Sequence, residues 1–282
     1  MLFYAMHISK ADILARFEAI GARGENLIDI GEAALLLANL DLPTNCLSVY
    51  HDELNLITSD MSAASQGAET LRDRIGVLSD TLYKKHRYQG DMETYDDPQN
   101  ANLMRVIDRR KGLPVALGIL AIHAGRSQGW EISGLNFPGH FLLQLSKSGE
   151  QALIDPFDEA RLVGNEDLQR IFRRIHDRQM PRQTDFIQAI SDRDILVRLQ
   201  NNIKIRALGA GNRKRAIEIL QSIVLIVPGN GELLAELALL EASAGNIKSA
   251  LAHIEKFMAR NPDFAHANKL LSLQERLNRS LN

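Results

Sequence analysis

Between Pro114 and Asp155 the apolar pattern changes its period, and that change fixes the fold class. The segment PVALGILAIHAG is apolar on nearly every side, as a helix enclosed by other elements must be. Ala116, Gly118, Ala121, Ala124 and Gly125 keep it narrow, so neighbours can approach closely. Pro114 suits the first helical position, where its missing N–H costs nothing, and Gly129 is a stop signal. The pattern then alternates. Trp130 to Asn136 reads as a strand, Phe137-Pro138-Gly139 as a turn, and His140 to Ser146 as a second strand. Ser148-Gly149 is a hairpin turn, and Gln151 to Asp155 is the partner strand. Pro156 ends the sheet. One helix followed by consecutive antiparallel strands predicts an α+β unit rather than a parallel βαβ sheet.

The preceding residues predict helical support. Helices are expected over Ser9–Ile20 (stopped by Gly21), Leu27–Leu40, Thr44–Ser65, Glu69–Arg87 and Asn102–Arg110. Gly90 to Asn100 carries Asp91, Glu93, Asp96 and Asp97. These lack the spacing of a calcium loop, so a solvated acidic loop is expected, with Arg109, Arg110 and Lys111 solvated or paired to it. Further helices are expected over Asn165–His176 and Asp192–Ala207. The first carries Arg170, Arg173 and Arg174, with Arg178 just beyond, as a solvated basic face. Arg182 to Asp185 is a polar break, and Phe186 to Ala189 is ambiguous.

The last third repeats at a period of 34. Gly211-Asn212 matches Gly245-Asn246, Ala216 matches Ala250, and Pro228 matches Pro262, whereas Ile219 and Leu220 align imperfectly with His253 and Ile254. Each unit reads helix, Gly-Asn turn, helix, proline, and a capping helix is expected over Phe264–Leu281. This period resembles tetratricopeptide repeats, whose helix pairs bury their apolar faces only by stacking. The resulting division is 1–180 for the α+β part with its helical front and 181–282 for the repeats.

Net charge narrows the function classes. The 282 residues sum to -2, which gives no global field for nucleic acid or membrane. Residues 1–160 carry 14 basic against 22 acidic side chains, and residues 161–215 carry 13 against 6, so the two regions are complementary in sign. Cys46 is the single cysteine, which excludes internal disulfides and a cysteine-only zinc site. No apolar run is long enough to span a bilayer, and no leader pattern opens the chain. A cytoplasmic protein is expected.

One constellation carries chemistry. His140 begins a strand after Pro138-Gly139, and Asp155 ends the adjacent hairpin strand, so the two can meet at the open end of the sheet. A carboxylate beside a histidine fixes the imidazole tautomer and supports its cation. With a cysteine at the start of the central helix, where the dipole lowers a thiol pKa, this would be the Cys-His-Asp arrangement of acyl transfer.

The segments RRKGLPVALGILAIHAGRSQGW, NFPGHFLLQL and LIDPFD resemble the bacterial SirB-type family, in which a transglutaminase-like domain of the papain-type superfamily precedes tetratricopeptide repeats. The resemblance spans about residues 30 to 275, and PGHFL and IDPF are its specific parts. It implies a papain/transglutaminase-like core and the roles of His140 and Asp155. It also implies a cysteine where this chain has Pro114, Val115, Ala116, Leu117 and Gly118. None of these is a nucleophile. Ser127 is at the wrong end of the helix, and Cys46 lies a separate helix away, where a lone cysteine is expected to be a small buried hydrophobe.

The function expected is therefore a non-catalytic interaction or regulatory protein with a remnant dyad. The alternative is a cryptic hydrolase or acyl-transfer enzyme using His140 and Asp155. Asn136 and Trp130 are candidate ligand contacts, although a turn role for Asn136 and a core role for Trp130 and Phe137 are the plainer expectations. No metal site is expected, because no ligand spacing joins His123 to His140, and no cofactor is implied. The expected partner is a protein or peptide, bound through the repeats or beside the remnant pair, with no nucleic acid and no membrane.

Overall fold

The computed structural model describes residues 8–23, 28–44, 46–176, 188–262 and 267–280. The chain forms two compact units, Leu27–Leu199 and a second that joins Ser9–Asn26 to Gln200–Asn282. They divide at 199/200, and the first helix goes with the repeats.

The first unit is α+β. Its helical front comprises α2 (Ile30–Asp41), α3 (Leu47–Ala64) and α4 (Leu71–Ser79), the last continued by a π-helical turn at Asp80–Lys85. Asp29 caps α2 by accepting from the Glu32 amide, and Thr70 and Asp73 cap α4 reciprocally. Leu71, Ile75, Leu78, Leu82 and Tyr83 are all buried. One face is therefore buried along the whole segment, although the backbone widens to π geometry over its last part.

A parallel pair, β1 (Gln89–Gly90) with β2 (Lys111–Gly112), brackets the acidic loop and α5 (Leu103–Arg109). The loop is not simply solvated. Asp91 is almost wholly buried and accepts from the Thr94 amide, the Thr94 hydroxyl and Arg109 Nη2. Arg109 also donates to the buried Asn100, and Lys111 pairs with Glu93. Arg110 turns away from the loop to Glu53 and Tyr88.

The central helix α6 (Pro114–Arg126) opens on proline, as expected. It packs on α2 and α3 on one side and on the sheet on the other. At Gly118 any Cβ would collide with the ring of Phe141, so glycine is what lets helix and sheet close together. The sheet comprises β3 (Glu131–Phe137), β4 (His140–Lys147), β5 (Glu150–Asp155), β6 (Arg161–Leu162) and β7 (Ala189–Ile190), in the order β6-β5-β4-β3-β7, with every pairing antiparallel. Ser148 and Gly149 both have positive φ, the requirement of a two-residue hairpin turn. Leu168 and Phe172 of α7 (Asn165–His176) pack against Leu135, Phe137 and Leu142 of the sheet. The expected basic face of α7 is described in part: Arg170 pairs with Asp167 and Arg173 is exposed. The side chain of residue 174, residue 178, the polar break at 182–185 and residues 186–187 lie outside the described residues, and Ala189 is in β7.

The second unit contains the later part of α8 (Asp192–Gly209), then α9 (Arg213–Ile226), α10 (Gly231–Ser243), α11 (Ile247–Arg260) and α12 (Ala267–Arg279). The 34-residue period recurs bond for bond. Gly211 and Gly245 share positive φ. The Asn212 amide donates to Ala207 as that of Asn246 does to Glu241, and Val227 donates to Ile223 as Asn261 does to Phe257. A core of Leu234, Ala238, Ile254, Phe257 and Leu270 joins the last three helices. The opening helix α1 (Lys10–Ala22), capped by Ser9, packs on α9. Gly21, expected to stop α1, lies inside it. A side chain there would collide with the carbonyl oxygen of Leu225, so this glycine serves helix contact rather than termination.

Candidate functional site

His140 and Asp155 meet because two tight turns return the chain on itself. Phe137 pairs with His140 across the Pro138-Gly139 turn, and Leu143 pairs with Ile154 in the next hairpin. Asp155 Oδ2 lies 2.7 Å from His140 Nε2. A carboxylate only accepts, so Nε2 carries the hydrogen and Nδ1 is left as the outward ring nitrogen. Among the described residues no hydrogen bond reaches that Nδ1, and the His140 side chain remains 21% exposed.

The carboxylate is fixed on its other side as well. Asp155 is buried, and its Oδ1 accepts from the Phe157 amide at 2.9 Å. Tyr83, in the π-helical turn, donates its hydroxyl to the Pro156 carbonyl at 2.8 Å. Burial, and then the nearby charges of Asp155 and Glu159, push the Tyr83 phenol far upward, so it stays a donor. A rigid, singly oriented imidazole is what general base work requires.

Around the pair lie residues that sequence reasoning passed over. Tyr95 is 44% exposed and meets Phe157 edge-on at 5.7 Å. The backbone of Gly90 abuts that same Phe157 ring, and Gly90 pairs with Gly112, two residues before α6 begins. Arg198 of α8 donates to Asn136 Oδ1 and lies 5.5 Å from the Phe141 ring centroid. Burial pushes its guanidinium pKa down, against a smaller upward effect from Tyr95. The loop that carries Tyr95 gave only an acidic-loop signal, and Arg198 sits 58 residues beyond His140, so no local spacing could have linked them.

The remaining candidates differ in burial and partners. Trp130 precedes the far end of β3, roughly 20 Å from the hairpin turn at strand rise, and is buried with the Arg74 guanidinium 5.3 Å from its ring centroid. Asn136 is exposed and held by Arg198. Ala116, in the first turn of α6, is fully buried. Cys46 is exposed at the start of α3, with its amide donating to Thr44 Oγ1. The buried position expected of it is therefore corrected: helix α3 begins one residue later and leaves the thiol outside the packed face. His123 faces Asp29 at 3.6 Å. Among the described residues no group of three or more His, Cys, Asp or Glu side chains could hold a metal ion.

A helix packed on an antiparallel sheet, with a His–Asp pair at the ends of adjacent strands, is the core of the papain and transglutaminase folds. Residues 48–201 match the transglutaminase-like superfamily over more than half of the chain, and the chain belongs to that superfamily. Residues 207–273 match the tetratricopeptide repeat. A UPF0162 protein of Xylella fastidiosa is 24% identical over 241 residues, covering 84% of this chain and 86% of its own length. One from Vibrio cholerae is 33% identical over 132 residues, 46% of this chain and 49% of the relative. F-box only protein 21 of Pongo abelii is 31% identical over 84 residues, 30% of this chain and 14% of that protein.

Proposed function

We propose that this chain is a non-catalytic member of its superfamily, a SirB-type protein that acts in the cytoplasm by binding a protein or peptide partner in a regulatory role. The observation that carries this is the opening of α6, where Pro114, Val115, Ala116, Leu117 and Gly118 are all buried and none has a nucleophilic side chain. A dyad without a nucleophile has no covalent route. The repeats supply stacked helix pairs whose general use is recognition of other chains. No helix among the described residues is long and apolar enough to cross a membrane.

A second reading has its own support. His140 Nδ1 is open and Asp155 is firmly placed, so the pair could activate water for hydrolysis. The two readings separate in one experiment. Ester and amide hydrolysis and amine incorporation are measured on the purified chain and on His140→Ala, alongside photo-crosslinking to candidate partners. Background rates unchanged by His140→Ala, with a saturable cross-link, support the binding reading. Hydrolysis that disappears in His140→Ala sinks it in favour of the enzyme.

A further inference from the structure

We infer that His86 is a proton-operated switch: protonated, its ring ties the segment that supports the His140–Asp155 pair to α3 at two points, and neutral, at one. This goes beyond the function proposed above and applies whether the pair binds a partner or activates water. The ring is 6% exposed and sits between two carboxylates of α3. Nδ1 lies 3.2 Å from Glu53 Oε1, and Nε2 lies 2.9 Å from Asp60 Oδ2. A carboxylate only accepts, and a neutral imidazole has a single N–H. The imidazolium therefore donates to both, whereas the neutral ring turns a lone pair toward one of them.

Among the described residues, the charged groups that meet the ring and its partners come from three elements. Glu53 and Asp60 belong to α3, Lys85 to the π-helical turn, and Arg110 to the end of α5. Tyr88 completes the set, with its ring 6.5 Å from that of His86 and its hydroxyl between Arg110 and Glu53. Both carboxylates stay charged where histidines titrate. The Arg110 hydrogen bond outweighs burial and holds the Glu53 carboxyl below its ordinary value. Lys85 does the same for Asp60, and His86 adds to each. On loss of the proton the Glu53 link is released, because it is the longer of the two and Glu53 keeps Arg110 and Tyr88 as donors. Nε2–H then stays on Asp60.

The position of His86 in the chain carries this change to the site. His86 closes the π-helical turn, its amide donating to the Thr81 carbonyl. Upstream, Tyr83 donates to the carbonyl of Pro156, the neighbour of Asp155. Downstream, Gly90 meets the Phe157 ring so closely that a Cβ would stand 2.6 Å from it, and the Phe157 amide donates to Asp155 Oδ1. A release at the ring thus reaches the Asp155 carboxylate by two routes, the local charge event and global readout of a histidine switch.

The test is NMR of the full chain from about pH 5 to 8, the range in which histidine changes charge. The His86 ring nitrogens and the backbone amides of Tyr83, Gly90 and Phe157 are followed together. Both ring nitrogens are expected to carry hydrogens at the acid end and Nε2 alone at the basic end, with the three amides shifting at the same midpoint. His140→Ala removes the titration of the site histidine and is expected to leave that shared transition in place. Asp60→Asn is expected to abolish it, because the amide group can donate to the lone pair of a neutral ring and so keep both links. His86→Gln, its fold checked by circular dichroism, is expected to abolish it as well. A His86 ring that keeps one form across the range overturns the inference. So do amide shifts that vanish in His140→Ala, or that persist in Asp60→Asn or His86→Gln.

Discussion

The Tyr83 hydroxyl holds the carbonyl of Pro156 at 2.8 Å from a π-helical turn more than 70 residues upstream. Pro156 directly follows Asp155 and is itself buried, so this contact sets the turn from which the carboxylate reaches His140. Tyr83→Phe leaves the carbonyl without its donor, and such a loss costs about 1–3 kcal/mol. Urea denaturation should show a midpoint shift of that size. In the same variant, NMR should show a shifted His140 ring resonance, since Asp155 is freed from one of its supports. An unchanged ring resonance would mean that Phe157 and the strand pairing alone place the carboxylate.

Asp91 makes an acid-labile contribution to stability. Burial alone would raise its carboxyl pKa. The hydrogen bonds from the Thr94 side chain and amide, and then those from Arg109 and Asn100, outweigh burial and hold it well below the usual range. A carboxylate depressed in the folded state stabilises fully above its unfolded value, and loses that contribution as pH falls toward the folded value. The wild-type chain should therefore lose stability on acidification below about pH 4, near the unfolded aspartate value. Asp91→Asn should be less stable by about 2–3 kcal/mol at neutral pH, the worth of hydrogen bonds to a charged group, and show a flatter acid limb. Parallel acid limbs for the two proteins would contradict this.

Gly118 and Phe141 form a coupled pair. Gly118→Ala drives a methyl group into the Phe141 ring, an overpacking that costs about 1–3 kcal/mol. Phe141→Leu should relieve the clash, so the double variant should be more stable than the sum of the two single changes. Additive values in thermal unfolding would show that α6 shifts away from the sheet instead.

Cys46 offers a check on the acyl-transfer alternative. Its thiol is exposed and His140 is engaged with Asp155. A disulfide reagent should titrate one thiol in the native protein at the same rate in wild type and His140→Ala. A rate that falls in the variant would connect Cys46 to the dyad and restore a nucleophile to the site.

Features that depend on neighbours in sequence were legible. The enclosed helix, the hairpins at Pro138-Gly139 and Ser148-Gly149, and the 34-residue period are all local, and the His140–Asp155 contact follows once two short turns are recognised. What was not legible depends on chain segments far apart. Asp91 looked like one of four loop carboxylates until Arg109 and Asn100 closed over it. Arg198, Tyr83 and Tyr95 carry no motif, and only packing places them near the pair. The membership of α1 was hidden for the same reason, because its partner α9 lies at the other end of the chain.

That last contact has a consequence for synthesis. The chain begins a unit with Ser9–Asn26, builds all of the α+β unit, and then returns with Gln200–Asn282. Gly21 must wait for Leu225, about 200 residues later, which is roughly 10–40 s of elongation at 5–20 residues per second. During that interval the apolar face of α1, Ile13 and Phe17, has left the ribosome without its eventual cover. The nascent protein therefore passes through a stage in which its first helix stays uncovered until α9 is made.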